Sequence, residues 1–244
     1  MRIGVLSDIH GNLIALEAVL ADLAAVQPEQ LVCLGDVAAL GPQPRESIER
    51  VRSLGCPVVM GNTDEWLVQP TADDPPADER ERILRDLATW GVEQLESADV
   101  AFLRSFRPTV EIALDEAVTL LCYHGSPRSN TDRIVPTTPN DELDQMTAGT
   151  TAPVLIGGHT HEAMLRRYRG RVILNPGSIS LPSHHLPVTA GRGRTRFAEY
   201  GVIEWSNGRL IVDWRTVPYD LSDVEAAARD NAMPHLDWWL SGWV

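Results

Sequence analysis

The chain has 244 residues, 43% of them hydrophobic and 23% charged, enough to bury a sizeable core without disulfides or structural metal. Its 21 basic and 34 acidic residues leave a net charge of −13, which repels nucleic-acid phosphates and disfavours a general nucleic-acid binder. The cysteines, Cys33, Cys56 and Cys122, are widely spaced and outline neither a disulfide framework nor a Cys-x-x-Cys site, so a reducing, cytoplasmic compartment is expected. Asp8 and His10 interrupt the N-terminal apolar run too early for a secretory segment, and Glu17 and Asp22 exclude a membrane span in "LIALEAVLADLAAV".

In chain order, "RIGVLS" has strand length. "NLIALEAVLADLAAV" places Leu13, Leu16, Leu20 and Leu23 at helical spacing, with Asn12 as N-cap. "QLVCLG" reads as a second strand, "PRESIERVRSLG" as a helix ending in Gly55, and "CPVVMGN" as a third strand. This βαβαβ order predicts parallel pairing with right-handed crossovers. Residues 64–108 break the pattern: a polar, proline-rich stretch precedes the helical "ERERILRDLATWGVEQL" and "DVAFLRSF", a helical insertion. Then "VEIAL" and "AVTLLCYH" suggest a hairpin, "NDELDQM" a short helix, and "APVLIGG", "AMLRRY" and "RVILN" further strands. Residues 197–244 begin with two alternating runs joined through Asn207-Gly208, a two-residue hairpin signal, and end in a helix with an apolar extension. The expected architecture is a single α/β domain, residues 1–244, of two facing mixed β-sheets flanked by helices.

Polar residues gather where the strands end. Asp8 and His10 follow the first strand, Asp36 the second, Asn62 the third, His124 the run "LLCYH", and His159 and His161 the run "VLIGG". Ligand sites of open α/β sheets form at such carboxyl ends, and His10, Asp36 and Asn62 follow one another at roughly one βα unit. Carboxylate, imidazole and amide donors suit divalent Mn, Fe, Zn or Co, and no thiolate is placed to close a structural zinc site. The glycines at 11, 35, 61, 125, 157 and 158 are expected to free the backbone around them.

The blocks D-x-H, G-D, G-N-x-D, H-G and G-H-x-H, at Asp8 to His161, resemble those of the calcineurin-like metallophosphoesterases. "NPGS" at Asn175–Ser178 narrows the resemblance to a small bacterial and archaeal phosphodiesterase-like branch. The resemblance implies two metal ions, with manganese favoured for activity. Asp8, His10, Asp36 and His161 would hold one, and Asp36, Asn62, His124 and His159 the other, with Asp36 bridging. It further implies a metal-bridging hydroxide that attacks the phosphorus of a diester or an activated phosphate ester. The alternatives are a phosphomonoesterase acting on nucleotides or phosphoproteins and, in another class, a protein-interaction scaffold of the same fold. Many of these enzymes place a leaving-group histidine after the asparagine of the third block; here that residue is Thr63, which cannot act as a general acid near neutral pH.

Plainer explanations stand beside several of these residues. Asp8 and Asp36 could cap helices, Asn62 could occupy a turn, and Asp64 reads as a structural cap. Arg128 is a candidate phosphate clamp or a solvated loop residue, and Ser178 a candidate substrate contact on a Pro-Gly turn. In "SHHLPVTAGRGRTRF", His184 and His185 are candidate leaving-group acids, and Arg192, Arg194 and Arg196 could meet a second phosphate; a surface loop is the alternative. "RRYRGR" at Arg166–Arg171 reads as an exposed hairpin turn, with phosphate or nucleic-acid contact as the alternative. Trp238, Trp239 and Trp243 read as core cover, with a homo-oligomer interface as the alternative. A phosphate-ester substrate, nucleotide-like in one reading, and no membrane partner complete the expectations.

Overall fold

In the computed structural model, which describes residues 1–69, 75–182 and 197–240, the chain begins with β1 (Arg2–Leu6), α1 (Leu13–Val26), β2 (Gln30–Cys33) and α2 (Pro44–Leu54). Period-two alternation sends Ile3 and Val5 of β1 to one face of the sheet and Leu6 to the other. The Asn12 side chain caps α1 by accepting from Ala15 N at 3.0 Å. The helix buries Ala15, Leu16, Val19 and Leu23, while Leu13 and Leu20 stay half-buried. Gly55 ends α2 at φ 63°, the left-handed cap that glycine adopts without steric cost.

The expected third strand is not a regular one. Between Gly55 and the next helix, only Val58 and Val59 pair, as isolated bridges to Cys33 and Arg107. Pro57 has no N–H to offer a ladder, and Asn62 already opens α3 (Asn62–Val68), so little chain remains to pair. Asn62 therefore sits in the first turn of a helix rather than beyond a strand. Helices α4 (Glu79–Glu93) and α5 (Ser97–Leu103) follow, with Asp78 capping α4 through Glu81 N at 2.8 Å.

The second half supplies β3 (Val110–Ala113), β4 (Thr119–Cys122), α6 (Asn140–Met146), β5 (Val154–Ile156), β6 (Met164–Tyr168) and β7 (Arg171–Asn175). It ends with β8 (Phe197–Ser206), β9 (Arg209–Pro218), α7 (Leu221–Asp230) and α8 (Leu236–Leu240). One sheet has the order β2-β1-β8-β9 and the other β3-β4-β5-β7-β6, each mixing parallel and antiparallel pairs. Ile3, Val5, Val32 and Ile203 from the first meet Val110, Leu120, Cys122, Ile156 and Leu174 from the second, forming the core between the sheets. The outer face of the first sheet packs on α1, α2, the insertion and the C-terminal helices; that of the second packs on α6.

The hairpin at Asn207-Gly208 forms as expected, with φ of 51° and 71°. Its first strand inserts antiparallel beside β1, Val5 opposite Gly201, so the C-terminal region completes the sheet that the N-terminus begins. The tail is two helices rather than one. Ala232 and His235 take φ of 51° and 55° around Pro234, breaking the helix between α7 and α8. Among the described residues, no helix is long and apolar enough to cross a membrane.

Candidate metal centre

The carboxyl-end loops of both sheets converge on one rim. Asp8 N donates to Gly35 O at 3.1 Å and His10 N to Asp36 O at 2.8 Å, which zips the loop after β1 to the loop after β2. Asp8, His10, Asp36, His159 and His161 have φ of 55°, 47°, 53°, 67° and 57°. Left-handed backbone at a residue with a Cβ costs on the order of 1 kcal/mol, and such strain concentrates at functional sites. The expectation that glycines carry these bends is therefore corrected: of the six named, only Gly11 and Gly35 have positive φ. Gly61 and Gly158 serve close approach instead. A Cβ on Gly61 would run into Asp36 N and Oδ1, and one on Gly158 into Ser7 Oγ and Asp8 Oδ2.

Two groups of donors result. Asp8, His10 and His161 bring one atom each within 4.8 Å of one another, and so do Asp36, His124 and His159. The His161 Nε2 atom is 3.3 Å from Asp8 Oδ1 and 3.1 Å from His10 Nε2. His124 Nε2 is 3.1 Å from Asn62 Oδ1, which brings the amide to the second group. Asp36 Oδ2 stands between the groups, 3.6 Å from His10 Nε2 and 3.4 Å from His124 Nε2. Its other oxygen accepts from Thr63 N in the first turn of α3 at 2.9 Å, so the capping and ligand readings of Asp36 coexist in one carboxylate.

The imidazole tautomers follow from the backbone. His10 Nδ1 faces Ala39 O at 3.1 Å, His124 Nδ1 faces Leu34 O at 2.8 Å, and His161 Nδ1 faces Leu181 O at 3.0 Å. A carbonyl can only accept, so in each neutral ring Nδ1 carries the proton and Nε2 keeps the lone pair that could coordinate. Two lone-pair nitrogens 3.1 Å apart, His10 and His161 Nε2, repel unless a proton or cation lies between them. The donor set fits a pair of first-row divalent ions.

Charge among these donors is divided unevenly. Burial would raise Asp36, but His124 and His10 outweigh it and hold the carboxyl well below its usual range; Asp8 is held down in the same way by His161. Burial would lower His124, yet Asp36 lifts it to about 9. For His159, burial and the neighbouring His124 both act downward, to about 4. His10 is likewise lowered by burial, whereas His161 is raised because Asp8 overcomes its burial.

Around the donors lies a layer of supports, among which the sequence marks Asp64 as a structural cap. Asp64, fully buried, accepts from Val37 N at 2.8 Å and Gly61 N at 3.3 Å, tying the Asp36 loop to the start of α3; burial and the nearby Asp36 push its carboxyl up to about 7. Ser7 donates to Asp8 Oδ2. Asn175 Nδ2 donates to Gly158 O at 2.7 Å and Thr160 Oγ1 at 3.1 Å, holding the His159–His161 loop. The "NPG" run was the available signal for Asn175, whereas the carbonyls of Leu34, Ala39 and Leu181 have no sequence signal at all.

The remaining candidates fall differently. Ser178 is wholly buried, donating to Asp8 O and accepting from Leu181 N, each at 2.9 Å, so its hydroxyl braces the loop. Arg128 is about half exposed and pairs through Nε with Asp132 at 2.6 Å. Thr63 is buried, and its Oγ1 has no hydrogen-bond partner among the described residues. Arg166 is committed to the carbonyls of Pro136 and Thr138, Arg169 to Asp144 and Arg171 to Thr150 O, so these arginines pin the β6–β7 hairpin. Trp239 is buried, as core cover requires. His184, His185, Arg192, Arg194, Arg196 and Trp243 lie outside the described residues.

Comparison with known proteins agrees with this geometry. A profile for the "Calcineurin-like phosphoesterase superfamily domain" matches residues 1–196. A crystal structure of a metallophosphoesterase from Sphaerobacter thermophilus is 27% identical and superposes with a TM-score of 0.74, each chain covered to 99%. The hypothetical protein PH1004 from Pyrococcus horikoshii OT3, 20% identical, shares the fold at a TM-score of 0.79 over 99% of this chain and 98% of that one. The uncharacterized protein MJ0912 of Methanocaldococcus jannaschii is 26% identical over 98% of this chain and 95% of its own.

Proposed function

We propose a reaction for this chain from one premise: it belongs to the calcineurin-like phosphoesterase superfamily. The reaction is dinuclear, metal-dependent hydrolysis of a phosphodiester or activated phosphate ester. The observation that carries it is the pair of buried donor groups with Asp36 Oδ2 between them, 3.6 Å from one imidazole and 3.4 Å from the other. Asp8, His10, Asp36 and His161 would hold the first ion, and Asp36, Asn62, His124 and His159 the second. Two divalent ions so held, with manganese favoured, supply Lewis acidity toward the phosphoryl oxygens and an activated water nucleophile.

The chain's own residues do the rest. The backbone carbonyls of Ala39, Leu34 and Leu181 fix the imidazole tautomers, so the metal-facing geometry exists before substrate arrives. A diester carries one negative charge and a monoester up to two, and a chain of net charge −13 penalises the second. Arg128, held on Asp132 at 2.6 Å, can still offer its outer guanidinium edge to a phosphate. Thr63 cannot protonate a leaving group, which favours esters that depart without help. A nucleotide-like diester and a cytoplasmic setting fit these features, as does a single domain with a helical insertion at 64–108.

The test is turnover in Mn²⁺ of an activated aryl phosphodiester against the matching monoester, with Asp36→Asn as control. Metal-dependent preference for the diester, abolished in the control, is expected. Preference for the monoester would replace this reading with a phosphatase, and silence on both from protein loaded with two metals would replace it with the scaffold.

A further inference from the structure

The loop Ala39–Gln43 is pressed between His10 and the C-terminal helices. On the inner side, His10 Nδ1 donates to Ala39 O at 3.1 Å and Gln43 N to Gly11 O at 2.8 Å. Gly41 lies so close to the His10 carbonyl that any Cβ there would collide with it. On the outer side, the buried Trp239 donates Nε1–H to Leu40 O at 2.7 Å, and Asn231 donates Nδ2–H to Pro42 O at 2.8 Å. Leu40 itself has φ 78°, a conformation a leucine keeps only when its surroundings impose it. Two side chains from the end of the molecule therefore hold, on alternate residues, the loop whose carbonyl orients one imidazole. Both lie beyond residue 196, where the match to the family domain stops.

We infer that Trp239 and Asn231 are positioning residues for the first metal site: the α7–α8 unit clamps the Ala39–Pro42 loop and through it sets His10. The inference rests on the metal-pair reading above. It assigns the C-terminal helices a role at one site only, because His124 of the second site takes its orientation from Leu34 O and the Asp36–Asn62 junction is held by Asp64, neither of which the clamp contacts. Removal of the Trp239 donor leaves Leu40 O unpaired in the interior and releases the strain at Leu40, so the loop relaxes and Ala39 O withdraws from His10.

The test is calorimetric titration of metal-stripped, full-length protein with Mn²⁺. Trp239→Phe retains an aromatic ring but loses the N–H donor with the five-membered ring that carries it, and Asn231→Leu removes the amide while keeping a side chain of the same branched shape. Leu143→Ala opens a cavity under α6, in the core cluster outside the second sheet that shares no residue with the clamp or its loop, and controls for general loss of stability. Wild type should bind two ions. In Trp239→Phe and Asn231→Leu one of them should weaken roughly tenfold, the lower end for loss of an outer support, with the other unchanged. In a His161→Ala background, which already lacks the first site, Trp239→Phe should change nothing further. Two ions bound by wild type and unchanged affinities in both clamp variants would overturn the inference alone, as would equal weakening of both sites or the same selective loss in Leu143→Ala. Fewer than two ions on wild type would overturn the metal-pair reading and the clamp with it.

Discussion

Asp64 gives the sharpest forecast of how the site is held together. Its two oxygens accept from Val37 N at 2.8 Å and from Gly61 N at 3.3 Å, both in the interior, so Asp64→Ala strands two buried N–H groups. Each stranded donor costs about 1–3 kcal/mol. The loss is partly offset, because a buried carboxyl pushed up to about 7 is itself costly to ionise at neutral pH. A net destabilisation of about 2–4 kcal/mol follows, or about 5–15 °C in Tm for a chain of this size. The same change loosens the junction between Asp36 and Asn62, so Mn²⁺ affinity at the second site should fall about tenfold. Asp64→Asn, which keeps the acceptor for Val37 N, should lose roughly half as much stability. Thermal unfolding followed by circular dichroism, beside Mn²⁺ titration, reads both effects. A Tm within about 2 °C of wild type, with metal affinity intact, would show that something other than Asp64 holds the two loops.

Other expectations concern protons and hydroxyls. His124, lifted to about 9 by Asp36 against its burial, is protonated at pH 7 and must be neutral to coordinate. Metal binding should therefore release at least one proton, and affinity should rise about tenfold per pH unit from 7 to 8 and level off above about 9. Calorimetry in buffers of different ionisation enthalpy measures this, and affinity independent of pH in that window would contradict it. In the metal-free chain the same raised group contributes stability that is complete below about pH 6.5 and lost as pH rises through about 9. Ser178→Ala removes the bond to Asp8 O and the acceptor for Leu181 N; a loss of about 1–3 kcal/mol by denaturant unfolding, with weaker metal binding, is expected. Unchanged stability but a raised KM would return Ser178 to the substrate. Thr63→Val removes a buried hydroxyl that has no partner among the described residues and is no acid near neutral pH, so Tm should hold or rise while diester turnover is unchanged. A lower Tm with unchanged turnover would place the partner of that hydroxyl inside the protein.

Local chemistry made much of this molecule legible in advance. Alternating runs, the Asn12 cap, the Gly55 stop and the Asn207-Gly208 turn depend on neighbours a few residues away, and each forms where the sequence predicts it. The donor residues at strand ends could be named because coordination needs particular side chains, and every parallel pair must send its carboxyl ends the same way. Other features belong to the tertiary structure alone. "CPVVMGN" has the composition of a strand, but whether it pairs depends on how much chain α3 takes from it. Ser178 and Arg166 carry groups that could meet phosphate, and only packing reveals that their bonds are spent on backbone. The strained φ of five donors, the carbonyls that turn three of the four imidazoles and the reach of Trp239 to Leu40 all depend on segments distant in sequence. A backbone carbonyl is the same group at every residue, so nothing in the letters distinguishes the few that orient a metal site from the many that do not.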